Sequence, residues 1–205
     1  MYARVFADDG ARFSTEELRE ALTRTWVDIQ REKPGDRYGG VRGEPDFWRD
    51  FLGRVRRRLD GGRLSEDSFE SLAEHFRQPG SWRVYSDVLP TLEALAGRGL
   101  ILAVVSNWDS HLPRLLDSTG LAGYFRAVSV SAIEGTGKPE PEIFRRTCAR
   151  LSLRPAEVLH VGDSPREDVE GARGAGLAAL LLDRGDLHPG VADRIRSLDQ
   201  IPGLV

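Results

Sequence analysis

After the segment RQPGSWRVYSDV (77–88) the chain alternates continuous apolar runs with amphipathic stretches at a regular interval, and this alternation limits the fold more than any other feature. The apolar runs, rich in Val, Leu and Ala, predict strands at residues 100–105, 127–131, 158–161 and 178–182. Between them, helical periodicity predicts helices at 89–96, 111–118, 142–151 and 167–173, the third opened by Pro141 at a favoured first-turn position. Strands that are apolar without interruption need cover on both faces, and helical crossovers supply it. The expected fold class is therefore α/β: a Rossmann-like, three-layer core around a parallel sheet.

The first 80 residues contain no convincing buried strand and break at Gly10, KPGDRYGG and DGGRLS into helical segments. STEELREALTRTWVDI opens with Ser14 and Glu17 at capping-box spacing and puts Leu18, Leu22, Thr25, Trp26 and Ile29 on one face. PDFWRDFLGRVRRRL and SEDSFESLAEHF carry similar stripes. A chain of 205 residues can hold one sizeable core with a smaller unit attached. The predicted division is a small all-helical unit over 1–80 and an α/β core over 81–205.

Composition excludes some classes of partner. With 29 basic and 32 acidic residues, a net charge of -3 offers no electrostatic case for a nucleic acid or an anionic membrane. No apolar run approaches the ~18 residues of a membrane helix, and no charged-then-apolar leader is visible. The expectation is a soluble, cytoplasmic protein, with no oligomeric state indicated. Cys148 is the single cysteine and sits at helical spacing with Ile143, Phe144, Thr147 and Leu151, which reads as core. Of the 29 basic residues 27 are arginine, leaving only Lys33 and Lys138 as lysine. In a chain that uses arginine wherever a positive charge suffices, Lys138 is a candidate for work that needs a compact ammonium. Lys33, in a polar loop, reads as solvated.

Open parallel sheets bind ligands beyond the carboxyl ends of their strands, and three polar groups fall there. Ser106 and Asn107, the only asparagine, directly follow Val104 and Val105. A serine hydroxyl with neighbouring backbone N–H groups suits a phosphate oxygen, while the plainer alternative is that Ser106 or Asp109 caps the next helix. Lys138 lies in GTGKPEPEIF between Gly137 and Pro139, where the alternative is an exposed loop lysine. In VLHVGDSPREDVEGARGAG, Gly162 lets the chain turn, and Asp163 and Asp168 present two carboxylates of the kind a magnesium ion binds beside phosphate. Capping is again the alternative, since Ser164, Glu167 and Asp168 all suit a helix start.

Taken in this order, Ser106-Asn107, Lys138-Pro139 and Gly162-Asp163-Ser164 with Asp168 resemble the second, third and fourth motifs of the haloacid dehalogenase-like superfamily. The resemblance covers about residues 84 to 205, and the helical part resembles that superfamily's small helical cap. It implies that Ser106 and Lys138 are catalytic residues that hold the transferred phosphoryl group, with Asn107 in the turn that presents it. Asp163 and Asp168 resemble the acids of a Mg2+ site. The implied activity is magnesium-dependent hydrolysis of a small phosphate monoester through an aspartyl phosphate, with the cap closing over the site. GDSPRED favours this phosphatase branch over metal-independent haloacid dehalogenation.

The nucleophilic Asp-x-Asp motif of that superfamily is not found. In VFADDGARF, aligning Asp9-Gly10 with the usual Asp-Gly puts Ala7 where the nucleophile belongs and leaves Asp8 at the wrong spacing. Tyr2, Val5 and Phe6 also fit a helical face ending at Gly10, and Arg4 would be a poor guest in a central strand. The chain is therefore expected to begin just after that motif, through a misassigned start or a truncation. The alternative is a catalytically silent module that binds a phosphorylated ligand or a protein. The strands of the second and fourth motifs would then face a gap, unless the sheet closes or residues 2–7 fill it. Trp108 and His111 could line the substrate space, with Trp108 equally suited to packing between cap and core; Trp26, Trp48 and Trp82 read as bundle and interface core.

Overall fold

Ser14 starts the first helix among the described residues. Its hydroxyl accepts from the Glu17 N–H at 3.2 Å while the Glu17 carboxylate accepts from the Ser14 N–H at 2.8 Å, closing the expected capping box of α1 (Thr15–Glu32). The computed structural model describes residues 12–33 and 35–205. The readings of Ala7, Asp8 and Asp9 as the nucleophile region, and of Tyr2, Val5 and Phe6 as a helical face, lie outside the described residues.

Two more helices belong to the helical unit among the described residues. α2 (Glu44–Asp60) stops at Gly61, whose φ of 75° is a left-handed conformation that glycine adopts without strain. α3 (Glu66–Arg77) begins where the Ser65 hydroxyl accepts from the Ser68 N–H. Their apolar faces meet in one cluster that buries Leu18, Ile29, Phe47, Phe51, Val55 and Leu72. Each such side chain contributes roughly 1.5–3 kcal/mol of burial. Trp26 and Trp48 pack edge-on to Phe51, both with ring centroids 5.7 Å away. Ala132 from the α/β core belongs to the same cluster, so the bundle is packed against the core.

Among the described residues the core supplies five parallel strands in two pieces. β1 (Leu102–Ser106) pairs with β2 (Phe125–Val130), and β3 (Leu159–Gly162) pairs with β4 (Ala178–Leu182), which pairs with β5 (Arg194–Ile195). Among the described residues β1 and β3 do not pair with each other. Every residue of β1 and β3 is partly buried. Val130 on β2 and Leu181 on β4 are fully buried.

The helices are α4 (Val88–Gly97), α5 (Leu112–Ser118), α6 (Ser131–Glu134), α7 (Pro141–Leu151) and α8 (Gly171–Gly174). Side chains alternate across β4. Ala179 and Leu181 pack with Ile143, Phe144 and Cys148 of α7, whereas Leu180 and Leu182 pack with Leu95 of α4 and Ile201. Helices thus cover both faces, which is the three-layer α/β architecture expected from the apolar runs.

Elements differ from expectation at several points, the strands expected at 100–105, 127–131 and 158–161 running Leu102–Ser106, Phe125–Val130 and Leu159–Gly162. Ser131 opens α6 instead of ending β2. β5 has two residues, too few for a sequence period to reveal. The helix expected at 167–173 is a π-helical turn, Pro165–Glu170, followed by the single turn of α8. No helix among the described residues is long and apolar enough to cross a membrane.

Candidate functional site

The connections after β1, β2 and β3 meet through Asn107, Lys138 and the π-turn. Lys138, nearly buried, places its Nζ 2.5 Å from Asp168 Oδ1. His160 on β3 brings Nε2 to 2.9 Å from the same oxygen, and the Ser164 N–H donates to Oδ2 at 2.9 Å. Burial alone would raise the Asp168 pKa, but the His160 hydrogen bond and the Lys138 charge outweigh it and hold the carboxyl well below its usual range. The site is therefore a locked ion pair with a histidine at its side.

Gly162 makes this possible for a reason the sequence did not disclose. A Cβ on it would lie 2.5 Å from both carboxylate oxygens of Asp168, so the residue is needed for close approach, not only for a turn. Gly137 has the same role next to Lys138, where a Cβ would lie 2.6 Å from Asn107 Oδ1 and 2.7 Å from the Gly35 carbonyl.

Asn107 is buried and its amide is fully engaged. Oδ1 accepts from the Lys138 N–H at 2.7 Å, and Nδ2 donates to the Lys138 carbonyl at 2.7 Å and to Glu167 Oε2 at 3.0 Å. It clamps the Lys138 backbone instead of aiming its side chain at a ligand. Ser106 ends β1 beside this clamp, partly buried. Asp163 is exposed, one residue past Gly162.

The helical unit reaches the same place. Arg37, with a fully buried side chain, is ion-paired to Glu167, and Gln30 on α1 donates to Glu167 at 3.4 Å. Glu44 at the start of α2 accepts from the Ser110 N–H at 2.6 Å and from its hydroxyl at 2.8 Å, and Trp48 Nε1 donates to Asp109 at 3.1 Å. Burial first, and the Asp109 charge second, push the Tyr38 phenol well above its ordinary pKa. Between α1 and the core lies a cavity of about 160 Å³ whose lining includes Gln30, Arg31, Ser164, Arg166 and Glu167. Trp82 and Trp108 sit with ring centroids 5.1 Å apart, which makes Trp108 a packing residue.

Of the residues singled out from sequence, Asn107, Lys138 and Asp168 are brought into direct contact. His160, Arg37 and Glu44 were not singled out, and Glu167 was named only as a residue suited to a helix start. His160 carried a signal, a polar residue inside the apolar run VLHVG; the others carried none, because their contacts span the fold. As a magnesium site the described residues fall short on their own. Asp168 is taken by Lys138, His160 and Ser164, which leaves Asp163 as the open carboxylate of the pair. Among the described residues no three metal-binding side chains are grouped.

Comparison with known proteins identifies the family. The haloacid dehalogenase-like hydrolase family model matches residues 5–176. The chain is 36% identical over 136 residues to the haloacid dehalogenase-like hydrolase domain-containing protein 3 of Bos taurus, covering 66% of this chain and 54% of that protein. It is 36% identical over 127 residues to a phosphoserine phosphatase of Thermus thermophilus, covering 62% of this chain and 51% of the relative. The chain thus spans about half the length of the curated relatives it matches. Among solved structures, a HAD phosphatase from Thermococcus onnurineus superposes with a TM-score of 0.68 at 31% identity, over 99% of this chain and 85% of the other. On the family match, the relatives and the shared fold together, this chain belongs to the haloacid dehalogenase-like hydrolase family.

Proposed function

We propose that this chain holds the phosphate group in a phosphatase that hydrolyses a small phosphate monoester. The observation that carries the reading is Lys138: one of two lysines beside 27 arginines, held by Asp168, whose same carboxylate oxygen also meets His160, where the connections after β1, β2 and β3 meet. An ammonium fixed there neutralises the charge of a bound phosphate, and the Ser106 hydroxyl at the end of β1 supplies a hydrogen-bond donor for its oxygens. Asn107 keeps the Lys138 backbone in place while the ligand binds. The cavity of about 160 Å³ under α1 offers room for the leaving group of a small ester. A relative named as a phosphoserine phosphatase and a solved neighbour named as a HAD phosphatase support a phosphoester substrate.

Three further elements belong to this proposal. The 1–80 part acts as the cap and the remainder as the core. The nucleophile is a carboxylate supplied ahead of the cap helices. A magnesium requirement rests on Asp163 together with oxygen ligands outside the described residues, and no step is derived through the metal.

A second reading, binding without turnover, is favoured by one sequence observation: Ala7 stands where the nucleophile would align. One experiment separates the two. Orthophosphate binding and hydrolysis of a generic aryl phosphate are measured with and without magnesium, on the unaltered chain and on Ser106→Ala and Lys138→Met. Binding and turnover that both fail in the variants support the phosphatase. Binding without turnover supports the silent module. Turnover that survives Lys138→Met sinks the phosphate-holding role.

A further inference from the structure

An unbroken series of hydrogen bonds runs from the helical unit to the backbone of Lys138. Arg37 and Gln30 both donate to Glu167 Oε1. The other carboxylate oxygen accepts from Asn107 Nδ2 at 3.0 Å, and the same Asn107 amide engages both the N–H and the carbonyl of Lys138 at 2.7 Å each. The Asn107 amide is planar and held at three points, so its orientation sets where the Lys138 backbone lies. Glu167 is the one of those three points that lies outside Lys138, and Arg37 is ion-paired to Glu167.

Stability alone does not account for Arg37. Its Nε and Nη1 are buried without hydrogen-bond partners, a standing penalty that the Trp26 ring 5.1 Å from the guanidinium offsets only in part. A buried ion pair with unmet donors contributes less to folding than a well-packed apolar group of similar volume. What the guanidinium does supply is a counter-charge for Glu167. Without it, a nearly buried carboxylate hydrogen-bonded to Asn107 would turn toward solvent or toward the Lys138 ammonium, and either movement takes away the acceptor that orients Asn107.

We propose that Arg37 is a positioning residue for Lys138, acting through Glu167 and Asn107, so that seating the helical unit on the core is what places the phosphate-holding lysine. This rests on the reading of Lys138 as the group that holds phosphate. A displaced helical unit leaves Glu167 without its partner and Lys138 without a fixed backbone, so phosphate is held strongly only in the seated arrangement.

The composition of the chain makes the test direct. Asn107 is the single asparagine, and Lys33 and Lys138 are the two lysines, so 15N-asparagine and 15N-lysine labelling of the whole chain produce very few signals. In Arg37→Met, the Asn107 Nδ2 proton facing Glu167 should exchange with solvent about tenfold faster, as expected for loss of one charge-assisted hydrogen bond. The Lys138 backbone amide should move, and orthophosphate should bind about tenfold more weakly. Arg37→Lys should recover part of each effect, which a loss of packing would not. Glu167→Gln, a smaller change that keeps an acceptor in place, should shift the same Asn107 proton and provides the test if Arg37→Met does not fold. Asn107 and Lys138 signals that coincide with those of the unaltered chain in the folded variant overturn the positioning role. Orthophosphate that leaves the Lys138 amide of the unaltered chain unmoved overturns the phosphate reading alone, because the coupling is read without any ligand.

Discussion

Lys138 Nζ lies 2.5 Å from Asp168 Oδ1, and the two side chains are nearly withdrawn from water. A pair this buried punishes the loss of either half, because the remaining charge has no solvent to turn to. Lys138→Met or Asp168→Leu alone should destabilise the chain by ~3–5 kcal/mol, and the two together by clearly less than the sum. Urea denaturation of the four proteins of this cycle gives the coupling. Strictly additive losses would show that the pair is not the unit of stability.

The close approach of Gly162 to Asp168 makes a second prediction. Gly162→Ala forces a methyl group against both carboxylate oxygens and should destabilise by ~1–3 kcal/mol while weakening orthophosphate binding. Gly174, which has open space around its Cβ position, is the control, and Gly174→Ala should be neutral or slightly stabilising. Equal behaviour of the two variants in thermal denaturation would refute the packing argument.

Acid should unfold the protein through identifiable carboxylates. Asp87 is held at about 2, first by Arg184 and, against some burial, by the Leu198 N–H and the Ser197 hydroxyl. A carboxyl whose folded value lies below its unfolded value of ~3.9 stabilises above that value and loses the contribution as pH falls toward the folded one. Stability should decline from about pH 4 downward, with the depressed Asp168 adding in the same direction. Asp87→Asn should start less stable at neutral pH and lose less on acidification. Parallel melting-temperature curves for the two proteins from pH 7 to acid would sink this assignment.

Asp163 separates metal effects from structural ones. Its side chain is exposed, so Asp163→Ala should change folding stability by no more than ~0.5 kcal/mol. The same variant should abolish any magnesium dependence of turnover or of orthophosphate binding. An undiminished magnesium response in Asp163→Ala, followed by calorimetry, would remove Asp163 from the metal site.

The parts legible in the sequence were those that local chemistry decides. The strand at Ala178–Leu182 was bounded correctly because a continuous apolar run between Gly176 and a charged turn has one place to go. The Ser14–Glu17 capping box was legible because both partners lie within one helical turn. Cys148 was read as core because its spacing with Ile143 and Phe144 is a helical period, and all three are buried together. The candidate site residues could be picked out for the same reason: strand ends and the residues that follow them are local features.

The sequence by itself determined the α/β alternation, the helical first part and the candidates Ser106, Lys138, Asp163 and Asp168, because periodicity, capping and strand ends act over a few residues. Tertiary structure alone decided what those candidates touch. Arg37 meets Glu167 across 130 positions of sequence and Asn107 meets Lys138 across 31, contacts that no local pattern encodes. It also decided that Gly162 serves Asp168 more than its turn, that a π-turn replaces the expected helix start, and that β1 and β3 remain unpaired with each other among the described residues. The physical reason is common to all of them. Buried charges and amides find their partners only after packing has removed water, and which partners are within reach depends on how the layers settle against one another.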